Sequence, residues 1–447
     1  MKIQLSDHFT YKRLLRFTLS PIIMMVFTSI YGVVDGLFVS NFVGKTPFAA
    51  INLIMPFVML TGGIGFMVGT GGTALVSKNL GEGENELARK HFTMMVMFDV
   101  LLGLVITAIG IAVMKPVAVF FKATPEMMDD CVTYGRIMVA FTPAFMLQTL
   151  FHSFCVAAEK PNLGLAATVA AGLTNMALDA LFIAVFKWGV TGAALATGIA
   201  EAVGAAIPFI YFTKRGRTQL WFVRTWIRWK VILKACANGA SELLSSISSS
   251  IVGMAYNWQL MRFAGEDGVA AYGVLMYVNF IFIAMFIGYS VGSAPIVGFH
   301  YGAQNRAELR NMLKKSTVIL LSAGVLMTAL AEILAPMLAG IFVGYDEGLL
   351  AMTVNAFRIF SFSFLFAGLN IFISSFFTAL NNGAVSAAVS FLRTLVFQLA
   401  TVFLIPLVFG LRGIWIAIVA SELLAFAVGL IFLFAKRKKY GYMDPVS

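Results

Sequence analysis

The sequence predicts an all-α integral membrane protein of twelve transmembrane helices, built as two repeated, pseudo-symmetric bundles of six. Three observations carry that prediction. Hydrophobic residues make up 60% of the 447-residue chain and charged residues only 12%, about half the charged share of a soluble domain. The uncharged runs 17–34, 46–77, 137–158, 243–261, 268–305 and 359–392 meet or exceed the roughly 18 to 20 residues that cross about 30 Å of hydrocarbon. A shift of 221 positions then lays one half of the sequence over the other. The alternating pattern of barrel strands is absent, so helices are the expected spanning elements.

Taken in order, the spans are expected near 14–38, 47–77, 92–114, 131–156, 163–186, 190–212, 236–261, 269–300, 316–337, 352–378, 384–408 and 413–435. The formal charge of +11 does not require nucleic acid, because the basic residues fall on one side of this topology. That side carries 23 Lys and Arg, the other carries 6, and Arg136, Arg358 and Arg393 lie within spans. Both termini are therefore expected on the cytoplasmic side of the cell membrane. The basic start before an apolar run also fits a signal peptide, but no small-residue cleavage site interrupts the run before Asp35, and a retained helix is expected. Cys131, Cys155 and Cys236 form no CxxC pair, which points to packing rather than to a disulfide framework or metal site.

The repeat aligns WGVTGAALATGIAE (188–201) with FGLRGIWIAIVASE (409–422), so that Gly189 meets Gly410 and Glu201 meets Glu422. The same shift pairs Gly44 with Gly265, Gly71 with Gly292 and Gly81 with Gly302. Six spans per half is an even number, so the halves are parallel repeats about an axis along the membrane normal. This divides the chain into an N-terminal lobe (1–212), a basic linker (213–235) and a C-terminal lobe (236–447). Trp221, Trp226 and Trp229 in the linker suggest a segment lying at the cytoplasmic interface. Spans two and eight are longer than one straight crossing, so that either part of a loop is included or the helix is bent. Their glycines, among them Gly62, Gly65, Gly69 and Gly71 in the former and Gly288 and Gly292 in the latter, offer flex points and close-packing surfaces.

A carboxylate inside hydrocarbon is costly and usually faces a bundle interior on an ion pathway. Asp35 and Asp179 are the leading candidates: each lies about seven residues before the end of an outward-running span, hence roughly 10 Å below the outer surface. Span six returns inward and brings Thr197 to the same depth. Asn175 precedes Asp179 by four positions and Tyr31 precedes Asp35 by four, which puts each pair on one helix face. Such a group can share a proton between two acids that cannot both ionise cheaply, or ligate sodium through its oxygens. The alternative is that Asp179 caps a broken helix or hydrogen-bonds Asn175 without titrating. Glu201 falls four after Thr197 and is a possible support; with Glu422 it is read as structural, paired with backbone or basic groups. Asp99, Glu242, Arg136, Arg358, Arg393 and His152 are read as lying near span ends, where snorkelling or local pairing accounts for them. The 42 Phe and 24 Met permit a cavity for diverse aromatic cations, although most must face lipid or pack helices.

These residues carry a resemblance. VDGLFVSNFVG (34–44), the loop pair LVSKNLGEGENELARK (75–90) and IVGFHYGAQNRAELRN (296–311), and NMALDALFI (175–183) followed by WGVTGAALAT (188–197) are similar to the multidrug and toxic compound extrusion (MATE) transporters, along essentially the whole chain. The resemblance implies a V-shaped pair of lobes, alternating access, and export of small organic cations driven by inward H⁺ or Na⁺, with no cofactor. It implies a cation-coupling cluster at Asp35, Asn175, Asp179 and Thr197, with Tyr134 nearby, and a helix bend at Pro21. Span ten lacks the acid of one branch of the family, so the chain looks like the MepA-like branch with coupling in the N-lobe. Antibiotic efflux by a monomer in the lipid bilayer, without nucleic acid, is the expected setting.

Two competing readings rank lower. A lipid-linked saccharide flippase shares this architecture but needs cationic cavity residues for pyrophosphate, and Arg136, Arg358 and Arg393 are few. An integral membrane enzyme is disfavoured by the absence of HExxH, of a paired-carboxylate metal motif and of a nucleophile elbow.

Overall fold

A chain this apolar must satisfy its backbone polar groups within its own segments. In a computed structural model, which describes residues 3–443, it does so with helices throughout. They are α1 (Tyr11–Phe42), α2 (Lys45–Gly81), α3 (Asn85–Phe120), α4 (Pro125–Ala140), α5 (Thr142–Ala157), α6 (Pro161–Asp179), α7 (Gly189–Thr213), α8 (Trp229–Gly302), α9 (Arg306–Val343), α10 (Glu347–Ser361), α11 (Phe364–Ala379), α12 (Gly383–Phe391), α13 (Gln398–Leu404) and α14 (Pro406–Tyr440). Two π-helical segments, Ala180–Val185 and Leu392–Phe397, continue α6 and α12. The outermost residues of the two expected lobes, 1–2 and 444–447, lie outside the described residues.

Among the described residues nine helices are long and apolar enough to cross a membrane, and the bent pairs α4–α5 (55°) and α10–α11 (49°) each make one more span. α8 holds two spans in 74 residues, interrupted at Gly265 (φ 61°, ψ −146°), which brings the set to the expected twelve. The repeat is written in the backbone itself. Gly44 and Gly265 both have positive φ (118° and 61°), as do Gly189 and Gly410 (56° each); side chains with a Cβ avoid this region, so glycine is needed at both members of each pair.

Several helices outrun the spans read from the sequence. α9 begins at Arg306 rather than near 316, because charges mark the edge of the bilayer and not the end of a helix: Arg, Glu and Lys are good helix formers, and Asn305 caps this start by accepting from the Glu308 amide at 3.0 Å. Span four is not one straight helix. It breaks at Phe141, just before Pro143, whose ring nitrogen has no hydrogen to donate, and the Phe141 ring occupies the space left by Gly198 of α7.

The linker is only partly interfacial. Trp226 and Trp229 are exposed (78% and 63%), but Leu220 is buried, Phe222 stacks on Phe92 at 5.3 Å and the Arg89 guanidinium lies 3.5 Å over Trp221. Apolar groups in this basic segment thus dock it onto the N-lobe. On the same basic face the lobes meet backbone to backbone: a Cβ on Gly71 of α2 would strike Ala235 and Gly239 of α8, and one on Gly81 would strike Phe299 and Ala303. Cys131 and Cys155 are buried and Cys236 half-buried, all three as free thiols.

Candidate functional site

The N-lobe acids stand where three helices converge. α1 supplies Asp35; α6 supplies Asn175 and, as its last residue, Asp179; α7 supplies Thr197. The α-helical register of α6 gives way to the π segment immediately after Asp179, a distortion frequent at functional positions. Asp35 lies within side-chain hydrogen-bonding reach of Asp179, Asn175 and Thr197. The Asn175 amide donates toward Thr197 Oγ1 at 3.4 Å, and Thr197 donates to the Ala193 carbonyl at 3.0 Å.

The donors run out at this point. Asp179 is fully buried and Asn175 nearly so (1%), yet both Asp179 carboxylate oxygens, Asp35 Oδ1 and Asn175 Oδ1 are buried with no hydrogen-bond partner. Two carboxylates that face each other offer acceptors only. A proton held between them, or a small cation ligated by carboxylate, amide and hydroxyl oxygens, is what such an arrangement can accommodate. Among the described residues no group of three His, Cys, Asp or Glu side chains forms a metal-ligand cluster; the oxygen set at Asp35, Asn175, Asp179 and Thr197 suits a hard monovalent ion.

A second ring surrounds these four. Tyr134 is 1% exposed and lies within the field of Asp35, Glu201 and Asp179. Tyr31 lies within reach of the Gln148 side chain and feels Glu201 and Asp35. Glu201, expected to pair with backbone or basic groups, is buried with Oε2 unpartnered. Gln148 escaped the sequence reading, because only the break at Phe141 turns α5 so that this residue faces α7, where it fills the space over Gly204. Pro21 sits in an α1 that is helical on both sides of it, with its carbonyl against Gly288 of α8.

Of the residues read as lying near span ends, with snorkelling or local pairing, His152 and Arg393 are paired and Asp99 is buried without a partner. Asp99 is fully buried in α3, both of its oxygens without a partner. His152 is buried and bonds Thr168 Oγ1 at 3.2 Å. Arg393 pairs with Glu422 at 2.9 Å, inside the C-lobe. Of the three helices only α3 outruns its expected span, at Asn85–Phe120 against 92–114; the partners of His152 and Arg393 stand on other helices, which distance from a flanking charge does not show.

A cavity of about 530 Å³ is walled mainly by the C-lobe. Met25, Thr28 and Ser29 of α1 close it on the N-lobe side, and Glu242, Arg393 and Glu422 are its charged residues. One helix therefore carries both a piece of the cavity wall and, two turns further on, Asp35.

The model of the family described as MatE matches residues 21–181 and again 243–404, once in each half and together most of the chain. The chain belongs to the MatE family. Among its MatE relatives, a protein of Staphylococcus saprophyticus named Multidrug export protein MepA is 22% identical over 425 residues, covering 94% of this chain and 93% of its own. A protein of the same name from Staphylococcus aureus strain MRSA252 is 23% identical over 427 residues, with the same coverage. The MATE fold is equally plain in solved structures. One described as a MATE in complex with MaL6 superposes with a TM-score of 0.92 at 21% identity over 97% of this chain and 98% of that one. One described as the outward-facing conformation of a multidrug resistance MATE family transporter gives 0.92 at 22%, over 97% of each chain. The V-shaped pair of six-helix bundles is thus the architecture of this MatE protein.

Proposed function

We propose that this protein is a multidrug exporter that expels amphipathic organic cations through the cell membrane in exchange for inward H⁺ or Na⁺, by alternating access. The relatives named for multidrug export support the activity. The observation that carries the coupling is the facing pair Asp35 and Asp179, of which three buried carboxylate oxygens lack any donor. With the basic face toward the cytoplasm, the ion enters from outside and occupies this pair. The α1 segment that bears Asp35 also bears Thr28 and Ser29 of the cavity wall, so ion binding and substrate release act on the same helix. The two ligands must favour different states, or no coupling results.

The energetics turn on stoichiometry. One charge moving down about 100 mV releases about 2.3 kcal/mol, against about 1.4 kcal/mol for each tenfold gradient of a neutral solute. Exchange of one monovalent cation for one ion is electroneutral and runs on the concentration gradient of the ion alone. A pyrophosphate-linked substrate is disfavoured, because Arg393, the basic residue in the cavity wall among the described residues, is already engaged by Glu422.

The test is dye efflux from proteoliposomes under separately imposed proton and sodium gradients. One of the two gradients is expected to drive uphill export by the wild type, and Asp35→Asn to abolish it while the protein stays folded. Export by Asp35→Asn at the wild-type rate against a gradient would overturn the reading.

A further inference from the structure

The 221-residue shift shows where the lobes differ at equivalent positions. It carries Glu201 onto Glu422, but Asp35 onto Tyr256, Asp179 onto Ala400 and Thr197 onto Ile418. The C-lobe thus keeps one acid of the N-lobe group and lacks the facing pair; Tyr256 instead donates to Gln398 Oε1 at 3.1 Å. The two surviving glutamates have opposite surroundings. Glu201 Oε2 has no partner. Glu422, 4% exposed, accepts from Arg393 Nε at 3.0 Å on each oxygen, meets Arg393 Nη2 at 2.9 Å and accepts from Asn370 Nδ2 at 2.7 Å.

This difference is built into the sequence. At the positions matching Arg393 and Asn370 the N-lobe has Gly172 and Thr149, and a side chain on Gly172 would meet Phe27 and Tyr31. No base fits there. Arg393 in turn stands in the π segment Leu392–Phe397, whose wide turn displaces side chains from their α-helical directions.

We propose that Arg393 is a tethered counter-cation, holding in the C-lobe the place that a free ion takes in the N-lobe, and thereby confining ion coupling to one lobe. The inference rests on the antiport reading. A guanidinium stays charged and grips a carboxylate with two parallel bonds, so Glu422 has no need to gain and lose an ion during the cycle. The Arg393–Glu422 pair keeps a constant charge while the N-lobe pair alternates. The other ionisable groups near the pair are Glu242 and Tyr256, both on the part of α8 before Gly265, and Tyr272 beyond it. Removing Arg393 therefore leaves two acids and two phenols, and a site that a small cation from solution can fill.

The test compares full-length wild type, Arg393→Gln, Arg393→Lys and the double variant Arg393→Gln/Glu422→Gln in proteoliposomes, with the number of ions exchanged per dye molecule read from the reversal potential. Arg393→Gln is expected to take up one additional cation per cycle. Arg393→Lys and the double variant are expected to keep the wild-type ratio, the first because it restores a tethered charge and the second because it removes the acid as well. The double variant removes both partners of the ion pair together and is expected to fold even where Arg393→Gln does not; a changed ratio in it would overturn the proposal. An unchanged ratio in folded Arg393→Gln would also overturn it, with the antiport reading left standing. Wild-type export indifferent to both ion gradients would overturn both.

Discussion

At the scale of the residue, Glu201 shows how little separates a structural acid from a working one. Its side chain is buried in α7 with one oxygen unpartnered, and Asp35, Tyr31 and Tyr134 all lie within its field. A cation at Asp35 and Asp179 favours the ionised form of Glu201, and that charge in turn deepens the well for the cation, since charges interact strongly where water is scarce. Glu201→Gln is therefore expected to keep transport but raise the ion concentration for half-maximal export roughly tenfold, equivalent to about 1.4 kcal/mol; dye efflux titrated with the driving ion measures it, and an unchanged midpoint would return Glu201 to a packing role. Residue spacing alone made Asp35, Asn175, Asp179 and Thr197 legible, because helix periodicity and depth are arithmetic along the chain. Arg393 was not legible. Its partner lies 29 positions away across two helix junctions, and the π segment that aims it leaves no mark in an apolar pattern.

At the scale of the element, the crossing of α2 and α8 decides whether the basic face is shut. Gly71 and Gly239 let the two backbones touch: a Cβ on either would run into the main chain of the other helix. Such small-residue crossings are how membrane helices approach closely without a hydrophobic driving force. Gly71→Val is expected to expel the closed arrangement and favour the state open on that face. Cys236, half-buried beside Ala235, reports on it: in a Cys131→Ser/Cys155→Ser background its alkylation by a maleimide added at the basic face is expected to accelerate several-fold. Equal rates with and without the valine would show that the crossing is not the gate. The glycine-rich runs of spans two and eight marked close-packing surfaces in the sequence, but α2 meets the first half of α8 as well as its end, and a contact between lobes has no periodicity from which to read it.

At the scale of the whole molecule, the lobes are also tied by a segment in which the sequence signalled only a basic tail. Residues before α1 cross the basic face as a strap: the Leu5 amide donates to Glu159 Oε1 of the N-lobe at 2.9 Å, and the Phe9 amide donates to Glu308 Oε1 of the C-lobe at 2.9 Å. Leu5 and Phe9 are both fully buried, and Lys315 Nζ donates to the Phe9 carbonyl at 2.6 Å. Partners some 150 and 300 positions apart in the chain leave no local pattern, which is why this part of the fold was invisible beforehand. Because the strap joins both lobes on one face, it stabilises the arrangement in which that face is closed. Removing the Glu308 carboxylate strands a buried amide, at a cost of about 1 to 3 kcal/mol, and that cost falls on the closed state alone if the strap detaches when the lobes part. Glu308→Ala is then expected to shift the balance toward opening of the basic face by roughly 5- to 150-fold. The Cys236 alkylation rate is expected to rise as it does for Gly71→Val, while the affinity of the N-lobe cluster for its ion, measured with the basic face locked closed by a cross-link, stays at the wild-type value. A fall in that intrinsic affinity would mean that Glu308 acts on the site itself, and the strap would lose its role as a latch between lobes.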